Sequence, residues 1–116
     1  MVQMKLQIGL NKINLTIGDN VTKFILFTQE DCYACGMARK HIRRSKENIL
    51  VAEVEWQKQP DMAEKYDINC APVLIVVDEY TGELVDSNGN GPNGEYMGAG
   101  PIIKKISNLW SQYGTK

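Results

Sequence analysis

Apolar residues along this chain change their spacing several times, and the changes mark out its elements. Residues 21–28, VTKFILFT, are a compact run of β-branched and aromatic residues between Asp19-Asn20 and Gln29 to Asp31. The run is too short for a buried helix and predicts a buried strand. From Cys32 to about Lys46 there is no proline and the composition favours helix. Arg39, Lys40, Arg43, Arg44 and Lys46 lie toward the far end, where a helix dipole favours positive charge, so a helix is predicted there. ILVAEVEW, residues 49–56, alternates Val, Ala, Val and Trp with Glu and reads as a second strand. Pro60 to Asp67 reads as a short helix opened by proline.

PVLIVVDE, residues 72–79, is an almost unbroken apolar run and predicts a third, central strand. Thr81-Gly82 then turns the chain into ELVD, an antiparallel partner. Residues 87–95, SNGNGPNGE, are dense in Gly and Asn and predict a flexible loop. After Gly100-Pro101, the residues Ile102, Ile103, Ile106, Leu109, Trp110 and Tyr113 recur at helical spacing, which predicts an amphipathic helix closing the core. In residues 1–20, MKLQI and INLTI both alternate around GLNK, consistent with a hairpin or a single strand with an irregular approach. The resulting order is an N-terminal strand or hairpin, then β, α, β, α, β, β, α, with strands 21–28 and 49–56 flanking a helix as a βαβ unit requires. No internal repeat is visible.

Composition narrows the class. A chain of 116 residues is long enough for one domain with a real core and too short for two, so residues 1–116 are expected to form a single domain. Lys plus Arg (13) nearly cancel Asp plus Glu (14), so the overall charge gives no argument for a nucleic acid or an anionic membrane; such a partner needs a local patch. The N-terminus shows no basic start followed by an apolar run of signal length, and nowhere do about 18 apolar residues follow one another. A cytosolic location is the default expectation.

Cysteine usage points to chemistry. The chain has three cysteines, an odd and small number for a secreted disulfide scaffold, and two of them stand three positions apart in EDCYACGM, residues 30–37. A working dithiol needs one sulfur ionised near neutral pH and exposed, with a second close enough to resolve a mixed disulfide. If the helix starts at Cys32, capped by Asp31 or Glu30, Cys32 lies in its first turn beside unpaired backbone N–H groups, which stabilise a thiolate. Cys35 lies one turn further in and is more buried, so Cys32 is the expected nucleophile and Cys35 the resolving thiol. A metal site needs two more ligands, with Cys70 and His41 available. On a helix His41 is rotated about 120° from Cys35 and lies roughly 9 Å further along the axis, which disfavours a four-ligand site within one chain. Two chains pooling their cysteines around a metal or cluster remain an alternative, as do two inert buried cysteines.

These residues resemble the thioredoxin family. CYAC follows the strand KFILF and opens a helix, and VAEVEWQKQPDMAEKYDINCAPVL, residues 51–74, continues the likeness without a gap through Pro60, Ala63, Lys65-Tyr66, Ile68 and above all Pro72. The resemblance spans roughly residues 21–113 and implies an α/β, thioredoxin-like fold: a central mixed sheet of about four to five strands flanked by helices. It implies a cis peptide before Pro72, a loop facing the cysteines, and substrate binding at Tyr33, Ala34, Ala71 and Pro72, with the Ala71 backbone open to an extended substrate segment.

Several positions depart from the family. Its buried Asp six residues before the first cysteine is Leu26 here, and the usual Lys partner is matched by Glu53. Two readings are open for Glu53: it takes over the proton role from the neighbouring strand, or it is a solvated edge residue. The family's Trp before the motif is Asp31, whose charge opposes thiolate formation at Cys32. Tyr33-Ala34 replaces the Gly-Pro of thioredoxins and the Pro-Tyr of glutaredoxins, a dipeptide that helps set the reduction potential. CAP and GAG, residues 70–72 and 98–100, fit the glutathione-binding pattern of glutaredoxins poorly.

The expected function is therefore that of a thiol-disulfide oxidoreductase reducing protein disulfides by a Cys32/Cys35 cycle, monomeric and without a cofactor. Its partners would be a disulfide-containing protein and an electron-donating reductase or low-molecular-weight thiol, with no nucleic acid and no membrane. The alternatives are a non-catalytic binding module, including one that bridges a metal or Fe–S cluster between two chains, and a glutathione-dependent redoxin. Cys70 is a candidate regulatory or dimer-forming thiol, against the plainer reading of a partly buried bystander. The basic run RKHIRRSK reads either as an acidic-partner site or as a solvated helix end, and Trp56 and Trp110 read as core.

Overall fold

The two apolar runs that do not alternate, residues 21–28 and 72–79, supply the two inner strands of a mixed sheet. The computed structural model describes residues 21–87 and 98–114. Their elements are β1 (Thr22–Thr28), α1 (Tyr33–Arg44), β2 (Ala52–Glu55), a 3-10 turn (Trp56–Lys58), α2 (Pro60–Lys65), β3 (Val73–Asp78), β4 (Leu84–Ser87) and α3 (Gly100–Tyr113). The strands are ordered β2-β1-β3-β4. β1 runs parallel to β2 and antiparallel to β3, and β3 runs antiparallel to β4. The strand or hairpin expected in residues 1–20, and residues 88–95 of the expected loop, lie outside the described residues.

Helices cover both faces of the inner strands, which is why those strands are apolar without a break from Phe24 to Phe27 and from Val73 to Val77. Phe24, Leu26, Leu74 and Val76 face α1 and α3, where they meet Ala38, Ile42, Ile102, Ile106, Leu109 and Trp110. Ile25, Phe27, Val73, Ile75 and Val77 face the other way, against Ala63 of α2 and Ile68. Phe24 and Trp110 meet edge to face with ring centroids 5.2 Å apart, an arrangement that suits their opposed edge and face charges. On α3 the predicted stripe holds, with Ile103 and Tyr113 only partly buried at its margin.

Boundaries move where tertiary contacts override local preference. β2 begins at Ala52, because its ladder with β1 starts only at Ile25 opposite Ala52, and Trp56 leaves the strand for the 3-10 turn. α1 stops at Arg44: Ser45 turns to extended backbone while its N–H still reaches the Ile42 carbonyl at 3.2 Å. α2 stops at Lys65, and Asp67 takes a left-handed φ of 57°. At the β3–β4 turn, Asp78 Oδ1 accepts hydrogen bonds from the Thr81 and Tyr80 N–H groups at 2.9 and 2.8 Å, which hold its carboxyl below the usual range. Gly82 completes that turn at φ 74°, and its carbonyl accepts the Tyr66 hydroxyl proton, tying α2 to the hairpin.

Leu74 is fully buried between β1 and the helices, whereas Leu50 is 75% exposed. Leu74→Ala is expected to cost about 3 kcal/mol of unfolding free energy and Leu50→Ala under about 0.5, measured by urea denaturation. Equal losses would contradict this placement of the core.

Candidate active site

Strand register decides where the chemistry sits. Thr28 of β1 lies opposite Glu55 of β2, and Phe27 lies opposite Val73 at the start of β3. The ends of β1 and β2 and the beginning of β3 therefore share one end of the sheet. That brings together the loop 29–32, the turn at Trp56 and the Ala71–Pro72 dipeptide, whose peptide bond is cis. Trp56 Nε1–H donates to Gln29 Oε1 at 3.0 Å, joining the first two of these segments.

The expected helix start is corrected by one residue. α1 begins at Tyr33, and Cys32 itself is the N-cap, at φ −108° and ψ 102°. Asp31 cannot fill that role, because an N-cap needs extended backbone and Asp31 has a left-handed φ of 53°. The cap bond runs from the Cys35 backbone N–H to Cys32 Sγ at 3.1 Å. Cys32 and Cys35 are joined as a disulfide with Cα atoms 5.2 Å apart. Cys32 is half-buried and Cys35 only 1% exposed, so Cys32 is the more accessible of the two. In the reduced protein the same N–H and the helix dipole would stabilise negative charge on Cys32 Sγ.

Around the pair, Tyr33 projects into solvent, Ala34 and Ala71 are half-buried and Pro72 is buried. Cys70 stands outside the disulfide and packs, partly buried, against the core face that contains Ile25 and Phe27. Among the described residues, no three His, Cys, Asp or Glu side chains gather as a metal-holding group.

No protein-family model matches the chain, and no curated protein matches it in sequence. Solved structures do. The reduced thioredoxin pre-protein of Schistosoma mansoni is similar over 83% of this chain and 82% of its own, at 20% identity and a TM-score of 0.61. The thioredoxin of Malassezia sympodialis is similar over 83% and 77%, at 18% identity and a TM-score of 0.61. That of Fasciola hepatica is similar over 81% and 82%, at 15% identity and a TM-score of 0.61. The chain has the thioredoxin fold.

On this thioredoxin fold the position six residues before Cys32 is apolar. Leu26 is buried in the α1 and α3 face of the core. Glu53 pairs with Leu26 in register, so its side chain shares that face, but it lies on the edge strand and is exposed. Arg39 Nε donates to Glu53 Oε2 at 2.8 Å and Arg39 Nη2 donates to the same oxygen, a bond that raises the Arg39 pKa. Glu53 thus stands at the exposed edge of the sheet in a surface ion pair with Arg39. Sequence reasoning named Arg39 only within the basic run RKHIRRSK and gave Gln29 no role. Arg39 carried one signal, since it follows Cys35 by one helical turn on the same side; Gln29 carried none, because its partner Trp56 is distant in sequence. With Thr28, Glu30 and Glu55, these residues line an open groove of about 380 Å³ beside the loop that bears Cys32.

Asp31 places a negative charge next to Cys32 on a backbone that Asn tolerates equally. Asp31→Asn is therefore expected to raise the alkylation rate of reduced Cys32 by iodoacetamide at neutral pH by about two- to fivefold, as removal of an adjacent like charge favours the thiolate. An unchanged or lower rate would show that Asp31 does not oppose the thiolate.

Proposed function

We propose that the protein is a thiol-disulfide oxidoreductase that reduces disulfides of other proteins. The observation that carries this reading is the half-buried Cys32 at the N-cap of α1, disulfide-bonded to a buried Cys35. In the reduced state the Cys32 thiolate attacks one sulfur of a substrate disulfide. A Cys32–substrate disulfide forms, and the other substrate sulfur leaves as a thiolate that takes a proton from water. Cys35 then loses its proton and attacks Cys32 Sγ, forming the Cys32–Cys35 disulfide and releasing the second substrate thiolate. Two electrons pass to the substrate, and a reductase or a low-molecular-weight thiol restores the dithiol.

An extended substrate segment would pair with the backbone at Ala71 by strand addition, with Tyr33, Ala34 and Pro72 forming its surroundings. The scheme uses a single chain and no cofactor, and Cys70 enters none of its steps. A reducing compartment such as the cytosol is where such a reductase works. Among the described residues no helix is long and apolar enough to cross a membrane.

Reduction of insulin by dithiothreitol tests the reading. The wild-type protein should accelerate it, and Cys32→Ser should not exceed the uncatalysed rate. Cys35→Ser should accumulate a covalent complex with substrate that Cys32→Ser does not form. A wild-type protein no faster than Cys32→Ser would remove the enzymatic reading, and the opposite trapping pattern would reverse the two cysteine roles.

A further inference from the structure

The solvent face of α1 has a composition that its helix does not need. At about 100° per residue, positions 33, 37, 40 and 44 fall within roughly 60° of one another. They form one stripe, opposite the buried Cys35, Ala38 and Ile42. Along it stand Tyr33, 84% exposed, Met37, 43% exposed, and the exposed Lys40 and Arg44. Its apolar end adjoins Cys32 and its cationic end points away.

Two further facts set this face apart from an ordinary solvated helix. The sequence of α1, YACGMARKHIRR, contains no acidic residue, although the chain as a whole has a formal net charge of −1. Among the described residues, Arg39 is the one cation of α1 in an ion pair; Lys40, Arg43 and Arg44 make none. Like charges one turn apart, as in Lys40 with Arg44 and Arg39 with Arg43, destabilise an isolated helix. The helix dipole favours the cations of the last turn but gives no reason for Lys40 in mid-helix or for the exposed Tyr33 and Met37.

We propose that this stripe is a docking surface for protein substrates that carry apolar residues beside their disulfide and acidic residues a short distance from it. The proposal rests on the thiol-disulfide reading above and names its substrate class. Charge complementarity selects the partner, and helical rise sets the spacing. Lys40 and Arg44 lie about 10 and 16 Å along the axis from Tyr33. An extended substrate covers that distance in about three to five residues. The acids should therefore fall three to five positions from the substrate cysteine. Because both cations are exposed, their effect should act mainly on encounter and weaken with salt.

The test is single-turnover reduction by the pre-reduced full chain of three peptide disulfides that differ only at those positions, bearing Glu, Gln or Lys. The Glu peptide should be reduced about tenfold faster than the Lys peptide at low salt, with the difference collapsing at about 0.5 M salt. The double substitution Lys40→Glu with Arg44→Glu should invert the preference while leaving the Gln peptide at its wild-type rate. Equal rates for the Glu and Lys peptides, or a preference that survives the double substitution, would overturn the proposal. It would be overturned in favour of nucleic acid if a single-stranded oligonucleotide bound the wild type, the double variant failed to bind it, and the peptides were not discriminated. The redox reading stands or falls separately: it stands if the Gln peptide is reduced by wild type and not by Cys32→Ser, whereas failure to reduce any of the three overturns both.

Discussion

The antiparallel pairing of β1 with β3 is the constraint on which the rest of this molecule depends. Six residue pairs join them, from Thr22 opposite Asp78 to Phe27 opposite Val73, and helices cover both sides. A strand pair buried on two faces tolerates no slip, since a shift of one residue would exchange the α1 and α3 face with the α2 face at every position. The same register fixes the site. With Phe27 opposite Val73, the chain leaving β1 toward Cys32 and the chain entering β3 through Pro72 emerge at one end of the sheet.

From that constraint follows the difference between the two cysteines. α1 must lie back across the face that holds Leu26 and Leu74, so its first turn is aimed at the sheet end and its inner side faces the core. Cys32, as the cap, keeps one side open and receives the Cys35 N–H on its sulfur; Cys35, one turn in, is buried. A single disulfide thus has one reachable and one shielded sulfur without any further device. Asp31 adds a local opposition, a left-handed residue that forms the turn into the helix and puts a negative charge beside the cap.

Charge on this protein is arranged by element. The charged residues of α1 are all cationic, and the helix joins the edge strand through Arg39 and Glu53, while Glu30, Glu53 and Glu55 line the groove next to the site. Exposed pairs of this kind contribute little to stability, with a typical value of about 0 to 1 kcal/mol. Charges at a surface act through their field on any approaching molecule before contact forms.

The sequence by itself determined the order of helices and strands in the described chain and the placing of a cysteine pair at a helix start. Short uninterrupted apolar runs fit strands buried on two sides, the spacing of Ile102, Ile106, Leu109 and Trp110 fits an amphipathic helix, and the cysteines three apart follow a strand and open a helix. These are local patterns, and local patterns are written in the order of residues. What only the tertiary structure decided is whatever depends on residues distant in sequence. The parallel register with β1 set where β2 begins, Trp56 reached back to Gln29, and Arg39 engaged Glu53 fourteen positions away. No periodicity encodes such a contact, because it exists only once α1 has been laid across the sheet.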